Sequence, residues 1–356
     1  MLNIPIPPLS PGENGTLLLR GVLTLPLCAH RFGQTAYGVQ MMHALPTLSF
    51  YQDGAWRTDS YSAIGDPFIS GCANYTVHLK APTDWQLICG GSCDKAVNTD
   101  GTITYTVQLP AARDFSFVLS RGLVAASGQT DGIQVTVWAQ EKAAAQRAVR
   151  DAVKALRTYA ALWGDYPYSQ LVLCEGALPF SADTGTAFTL IDHMYFASDR
   201  AESLELVIAH ESAHQWFGVM VASDSVRQPW QDEALAEYAM LRYTLKNSGA
   251  AAWRNLVTLR ADAPMREYIP SPVTPASPID YFGSYDVYSA VVIGRGCACL
   301  LALEEMSGNP DSFLRSYADA FAFGYATRAD FESLLLSVTQ TDLVPLMTDY
   351  LDTQMN

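Results

Sequence analysis

The stretch His210-Glu211-Ser212-Ala213-His214 constrains this chain more than any other. Its two imidazoles are four residues apart, so on a helix both leave the same face, one turn apart. That separation suits a tetrahedral zinc ion, and Glu211 between them reaches a water at the ion rather than the ion itself. Glu233 lies nineteen positions after His214, room for the first helix to end, the chain to turn, and a second helix to present a carboxylate as third ligand. Three protein ligands leave a fourth position open, which marks a catalytic rather than a structural zinc site; structural sites are closed by four ligands, usually rich in Cys. The expectation is one Zn2+ per chain, held by His210, His214 and Glu233.

The 356 residues suggest about two domains with ample core material. Hydrophobic content of 49% and charged content of 16% are globular values. A net charge of −14 argues against nucleic acid or an anionic membrane as a main partner. No uninterrupted apolar run has the length of a membrane span, and Met1-Leu2-Asn3-Ile4-Pro5 lacks the basic start of a secretory signal, so a cytoplasmic chain without a membrane span is expected. The seven cysteines are odd in number and scattered; Cys89 and Cys93 have no matching Cys/His pair, which favours reduced thiols. Oligomeric state is not legible.

Residues 1–140 read as β structure. Segments 15–25, 75–79, 102–109, 115–119 and 133–139 are short, rich in β-branched and aromatic residues and roughly alternating, with turn clusters such as Gly90-Gly91-Ser92 and Asn98-Thr99-Asp100-Gly101 between them. Near residue 140 the period changes. An Ala-rich helix over 141–163 is closed by Gly164, two strands follow at 170–174 and 186–191, and then come the helix carrying His210 and His214 and a helix opened by Pro229 that closes near Gly249. Residues 262–284 read as an ordered loop over a site. Further helices are expected over 285–306, from the cap Asn309-Pro310, and from Thr327 with Asp330 at the capping-box position. The fold class is α+β: an antiparallel β saddle or sandwich (1–140) followed by a mainly helical domain (141–356).

The run His210-Glu211-Ser212-Ala213-His214-Gln215-Trp216-Phe217-Gly218 followed by Trp230-x-x-Glu233 resembles the aminopeptidase N and leukotriene hydrolase family of zinc metallopeptidases, a gluzincin family. Trp163-Gly164-Asp165-Tyr166-Pro167-Tyr168, Ala112-Arg113-Asp114-Phe115 and Gly65-Asp66-Pro67-Phe68 resemble further segments of that family. The resemblance implies a shortened member, with residues 1–140 as a β saddle and 141–356 as a thermolysin-like catalytic domain. It also exposes two departures. The family's GxMEN-type edge motif, whose Glu holds the substrate amine, is matched by Gly176-Ala177-Leu178-Pro179-Phe180, which puts Pro179 where the Glu would be; Gly176 and Ala177 remain candidates for the substrate-binding edge, and Glu175 or Asp183 for the missing carboxylate. The family's oxyanion-stabilising Tyr falls on Ile293, leaving Tyr288 and Tyr285 upstream as substitutes.

The chemistry expected is hydrolysis of a peptide bond, with zinc polarising the carbonyl and Glu211 moving the proton from water to the leaving amine. Glu237, one turn after Glu233, either steadies a ligand imidazole or is an ordinary solvated carboxylate. His30, His43, His78 and His193 lack a ligand-type partner at helical spacing and read as satisfied surface or core residues. Tyr268, Tyr281, Phe282, Tyr285 and Tyr288 line a peptide cleft or pack beneath the Pro-rich loop. The leading reading is a zinc peptidase, most simply an aminopeptidase on short peptides. The alternative is a relative that keeps zinc and binds peptide or a partner protein without efficient turnover.

Overall fold

A computed structural model describes residues 3–354 except Asp53, Tyr268, Pro270, Ser271 and Asn309. The expected cap at Asn309 and the aromatic Tyr268 therefore lie outside the described residues. The first half is antiparallel. β1 (Phe32–Thr35), β2 (Gly38–Met41), β6 (Gln86–Cys89) and β9 (Phe117–Ser120) form one sheet in the order β1-β2-β9-β6. β5 (Ala73–Pro82), β7 (Ser92–Val97) and β8 (Thr102–Ala112) form a second in the order β5-β8-β7, and β3 (Tyr51–Gln52) pairs with β4 (Ala55–Trp56). Alternation explains the second sheet: Ile103, Tyr105, Val107 and Leu109 on β8 all point into the core.

The strand expected over 15–25 does not form. That segment has no regular structure and leaves Leu18, Val22 and Leu23 exposed, because it meets no strand along its length and an unpaired strand has no ladder to stabilise it. The change of period at 140 marks the first helix rather than a break in the sheet. β10 (Val124–Thr130) and β11 (Ile133–Ala139), which composition groups with the N-terminal half, join β12 (Gln170–Gly176), β13 (Ala182–Gly185) and β14 (Phe188–Asp192) in a five-stranded sheet ordered β10-β11-β12-β14-β13. Its β11–β12 and β12–β14 pairs are parallel.

Helix α1 (Lys142–Trp163) covers this sheet, burying Ala144, Ala148, Ala152, Ala155 and Tyr159 at helical spacing and ending at Gly164. α2 (Ala201–His214) and α3 (Trp230–Val257) pack beneath it; Gly249, at φ 86°, kinks α3 where the sequence suggests an end. Then follow a π-helical stretch Thr258–Asp262, α4 (Ala263–Arg266), and a continuous helix made of α5 (Tyr285–Tyr288), a π-helical Ser289–Arg295 and α6 (Gly296–Ser307). That continuous 23-residue helix has the length and mean hydropathy (1.6) of a membrane span, a property the search for uninterrupted apolar runs misses. Its most apolar window is 61% buried and α6 packs on α3, the placement of a core helix. α7 (Pro310–Ala320), α8 (Arg328–Thr339) and α9 (Val344–Leu351) complete the fold, with Thr327 and Asp330 forming the expected capping box; α9 is not anticipated by the sequence reading. All seven cysteines are free.

Candidate active site

The end of α2 is fastened before any chemistry is considered. Gln215 donates from its amide to the Gly185 carbonyl (3.0 Å) and accepts from the Ala187 N–H (3.0 Å), which locks the helix to the β13–β14 turn. Trp216 donates to the Gly164 carbonyl (3.0 Å) and packs against Tyr159 and Tyr166. The Gln-Trp pair after the second histidine, and the Gly164–Tyr166 segment, thus hold α2 against α1 and the sheet. Trp230 and Gln231, both buried, anchor the start of α3, and Gln231 bonds Tyr317 and the Ala326 carbonyl.

Against this frame His210, His214 and Glu233 converge. His210 Nε2 lies 3.3 Å from His214 Nε2 and 3.4 Å from Glu233 Oε2, and His214 Nε2 lies 4.0 Å from the same oxygen. Bonds of 2.0–2.2 Å at tetrahedral angles put donors about 3.3–3.6 Å apart, so the three atoms already approximate one face of a zinc tetrahedron. The tautomers suit it. His214 Nδ1 faces Asp232 Oδ1 (2.8 Å) and the Phe217 carbonyl (3.2 Å), and His210 Nδ1 faces Glu237 Oε2 (3.0 Å). A carbonyl and carboxylates only accept, so the ring protons sit on Nδ1 and both Nε2 lone pairs point at the shared centre. Glu237, fully buried, is bound in turn by Arg260 (2.7 and 3.1 Å). The solvated-carboxylate reading of Glu237 is therefore corrected: burial would discharge it, and the Arg260 charge with the His210 bond holds it down at about 2. Asp232, which the sequence reading overlooks, does for His214 what Glu237 does for His210.

Gly218 makes room for Asp232. Its φ is 120°, and a Cβ there would sit 2.6 Å from Asp232 Oδ1. Gly218→Ala is expected to push Asp232 off His214 and weaken zinc affinity by about 10–100-fold. Competition against a chelator of known affinity reads this directly, and an unchanged affinity would refute the link.

A cavity of about 510 Å³ opens over these residues, lined also by Glu211, Asp66, Asp183, Thr184 and Tyr285. Thr184 donates to Glu211 Oε2 (2.7 Å). Burial pushes the Glu211 carboxyl up, against the pull of His214, His210 and the Thr184 bond. The bordering strand is β13, the sheet edge, and not the segment matched to the family's edge motif. Gly176 and Ala177 are corrected on this point: Gly176 ends β12, an interior strand, Ala177 is satisfied by the Gln40 amide (2.8 and 3.0 Å), and Pro179 is exposed; none of the three lines the cavity. Glu175 accepts from the Gln140 N–H (2.8 Å) and is likewise outside.

Of the two tyrosines, Tyr285 lines the cavity. Tyr288 does not; it is buried against Phe282 and Gly65. Tyr285, Ser289 and Ile293, four residues apart along this helix, share one cavity wall. Burial, then Glu233, Asp66 and Glu211, push the Tyr285 hydroxyl well above its usual range. Tyr281 is exposed, and Phe282 is core. Arg295 braces the Pro264 and Glu267 carbonyls. His30, His78 and His193 stand away from the cavity; His43 lines it, stacked on Phe68 (4.2 Å) between Asp114 and Asp183. Arg31 joins Asp183 (3.0 Å) to Asp66 (2.6 Å), carrying the N-terminal half to the cavity wall.

A HExxH helix facing a second helix that supplies a glutamate defines a centre of the gluzincin type. Residues 184–350 match the peptidase family M1 domain. It is 25% identical over 241 residues to leukotriene A-4 hydrolase of Xenopus laevis, covering 62% of this chain and 38% of that protein. It is 27% identical over 180 residues to aminopeptidase B of Homo sapiens, covering 48% and 27%. The fold matches the crystal structure of a mutant M1 zinc metallopeptidase from Deinococcus radiodurans with a TM-score of 0.63 at 16% identity, over 81% of this chain and 66% of that one. The chain thus spans well under half the length of the curated relatives named here.

Proposed function

We propose that this chain is a zinc-dependent peptidase, most simply an aminopeptidase acting on short peptides. The observation that carries it is the convergence of three metal donors, each imidazole backed by a carboxylate, beside a buried Glu211 that is not itself a donor. Zinc held by His210, His214 and Glu233 would supply Lewis acidity, polarising the scissile carbonyl and acidifying a water. Glu211 takes the proton from the attacking water and passes it to the leaving amine. Thr184 occupies one carboxylate oxygen of Glu211 and leaves the other for that proton. Glu237 with Arg260, and Asp232, hold the two imidazoles in the donor tautomer.

The donor assigned to the developing oxyanion is the Tyr285 hydroxyl, a reading supported by its place in the cavity lining. Tyr285→Phe is expected to lower kcat by about 10²–10³ with KM nearly unchanged, read by steady-state kinetics; an unaltered kcat would remove Tyr285 from the mechanism.

Selection for a free amine is assigned to Asp66, which lines the cavity in contact with Glu233. Arg31 holds its carboxyl at the cavity wall (2.6 Å). A carboxylate there offers a substrate ammonium an opposite charge and a hydrogen-bond acceptor. The test compares short peptides with their N-acetylated forms. Preference for the free amine, reduced in Asp66→Asn, is expected; equal cleavage of both forms would point to an endopeptidase-like mode. The second reading, a zinc-holding relative that binds peptide without efficient turnover, is favoured by one observation: Ile293 contributes a bare aliphatic wall to the cavity.

A further inference from the structure

The main cavity does not end at the metal donors. A second chamber of about 200 Å³ adjoins it and shares five lining residues with it: His43, Phe68, Ser70, Arg113 and Asp114. His210, His214, Glu211 and Glu233 line only the first chamber, so the second lies to one side of the reacting centre. Its charges are unevenly matched. Arg57 is paired with Asp59 (2.6 Å) and Asp224 (2.8 Å), and His43 stands between Asp114 and Asp183. Asp114 accepts from the Thr186 N–H and hydroxyl and from Ser116.

Arg113 differs. It is 8% exposed and lines both chambers, yet its guanidinium meets only carbonyl oxygens: Val219 (2.5 Å), Ser70 (3.0 Å), Met220 (3.1 Å) and Gly324 (2.5 Å). No described carboxylate lies within ion-pair distance of it, and burial pulls its pKa down. Carbonyls satisfy N–H groups but leave the positive charge in place, and four bonds leave one of the five guanidinium protons without a described acceptor. A buried cation without a counter-charge is costly, and an anion that arrives beside it recovers part of that cost.

We infer that Arg113 receives the C-terminal carboxylate of a short peptide, which makes the second chamber the seat of the leaving residue and di- and tripeptides the preferred ligands. This rests on the peptide-cleft reading above and deepens it. The carbonyl bonds are the brace that fixes the guanidinium at the junction, and the unmatched charge is what the ligand reads.

The test is calorimetric titration of the zinc-loaded Glu211→Gln protein, which binds without consuming its ligand, with alanyl-phenylalanine and with alanyl-phenylalaninamide. The free acid is expected to bind about tenfold tighter or more, the worth of one charge-assisted hydrogen bond, with the advantage falling as salt rises. Adding Arg113→Lys, its fold checked by thermal unfolding and zinc content, is expected to shrink the advantage, because the charge stays but the fork is lost. Equal affinity for acid and amide would overturn the inference while leaving the peptide cleft standing. Binding of neither would overturn the cleft reading and this inference with it. An acid preference untouched in a folded Arg113→Lys, Glu211→Gln protein would also overturn the assignment to Arg113.

Discussion

Glu211→Gln is expected to lower kcat by about 10²–10⁴ while zinc stays at one per chain and KM moves little. The reasons lie in the placement of the side chain. Glu211 stands between the two histidines on α2, but its carboxylate is directed to Thr184 (2.7 Å) rather than to the point where the three donors converge. Gln keeps the shape and can still meet the Thr184 hydroxyl, so the substitution leaves the metal donors and the cavity intact. What it removes is the capacity to accept a proton from water and return it to the leaving amine. Steady-state kinetics with metal analysis on the same samples separates the two effects. Loss of zinc together with activity would mean that Glu211 is part of the metal site instead.

His214→Ala is expected to abolish stable zinc binding and to destabilise the folded chain by about 1–3 kcal/mol, the cost of leaving a buried carboxylate without its hydrogen-bond donor. Asp232, 8% exposed, has His214 Nδ1 as its hydrogen-bond partner (2.8 Å) and would be left buried beside Glu233. The metal contributes separately. Zinc at about a thousand times its Kd stabilises the wild type by about 4 kcal/mol. Thermal unfolding with and without zinc therefore predicts a large upward shift in Tm for the wild type and none for the variant. Equal shifts in both would mean that zinc binds elsewhere.

The legible parts of this protein are those fixed by spacing along one helix or between two. The i, i+4 imidazoles of α2 and the glutamate on α3 emerge from the sequence because helical geometry turns residue number into direction. The buried face of α1 emerges for the same reason. Pairing between distant strands is less accessible. Residues 15–25 have the composition of a strand yet find no ladder, and β10 and β11 look like their N-terminal neighbours yet pair parallel to a strand beyond α1. Period reveals which residues suit a strand but not which partner it takes.

The site's wall shows the same limit. Local similarity puts the edge motif at the end of β12 and just beyond it, whereas the strand that borders the cavity is β13, and only sheet order distinguishes the two. Tyr285 and Tyr288 both stand upstream of Ile293 as candidate substitutes, and only the packing, which buries Tyr288 and leaves Tyr285 on the cavity wall, separates them. Asp232 carries a signal that could have been read: it directly precedes a ligand at the start of a helix, within reach of the first helix's end. Arg31, His43, Asp66 and Asp183 stand 12–152 residues apart, brought together by ion pairs that no spacing rule anticipates.

The most direct test of the central claim is hydrolysis of a short free-amine peptide by the zinc-reconstituted chain, with zinc per chain quantified and Glu211→Gln run alongside. The account predicts one zinc per chain and turnover that the variant loses. One zinc per chain with the wild type no faster than Glu211→Gln would contradict it, and would leave a zinc-stabilised protein that holds peptide without cutting it.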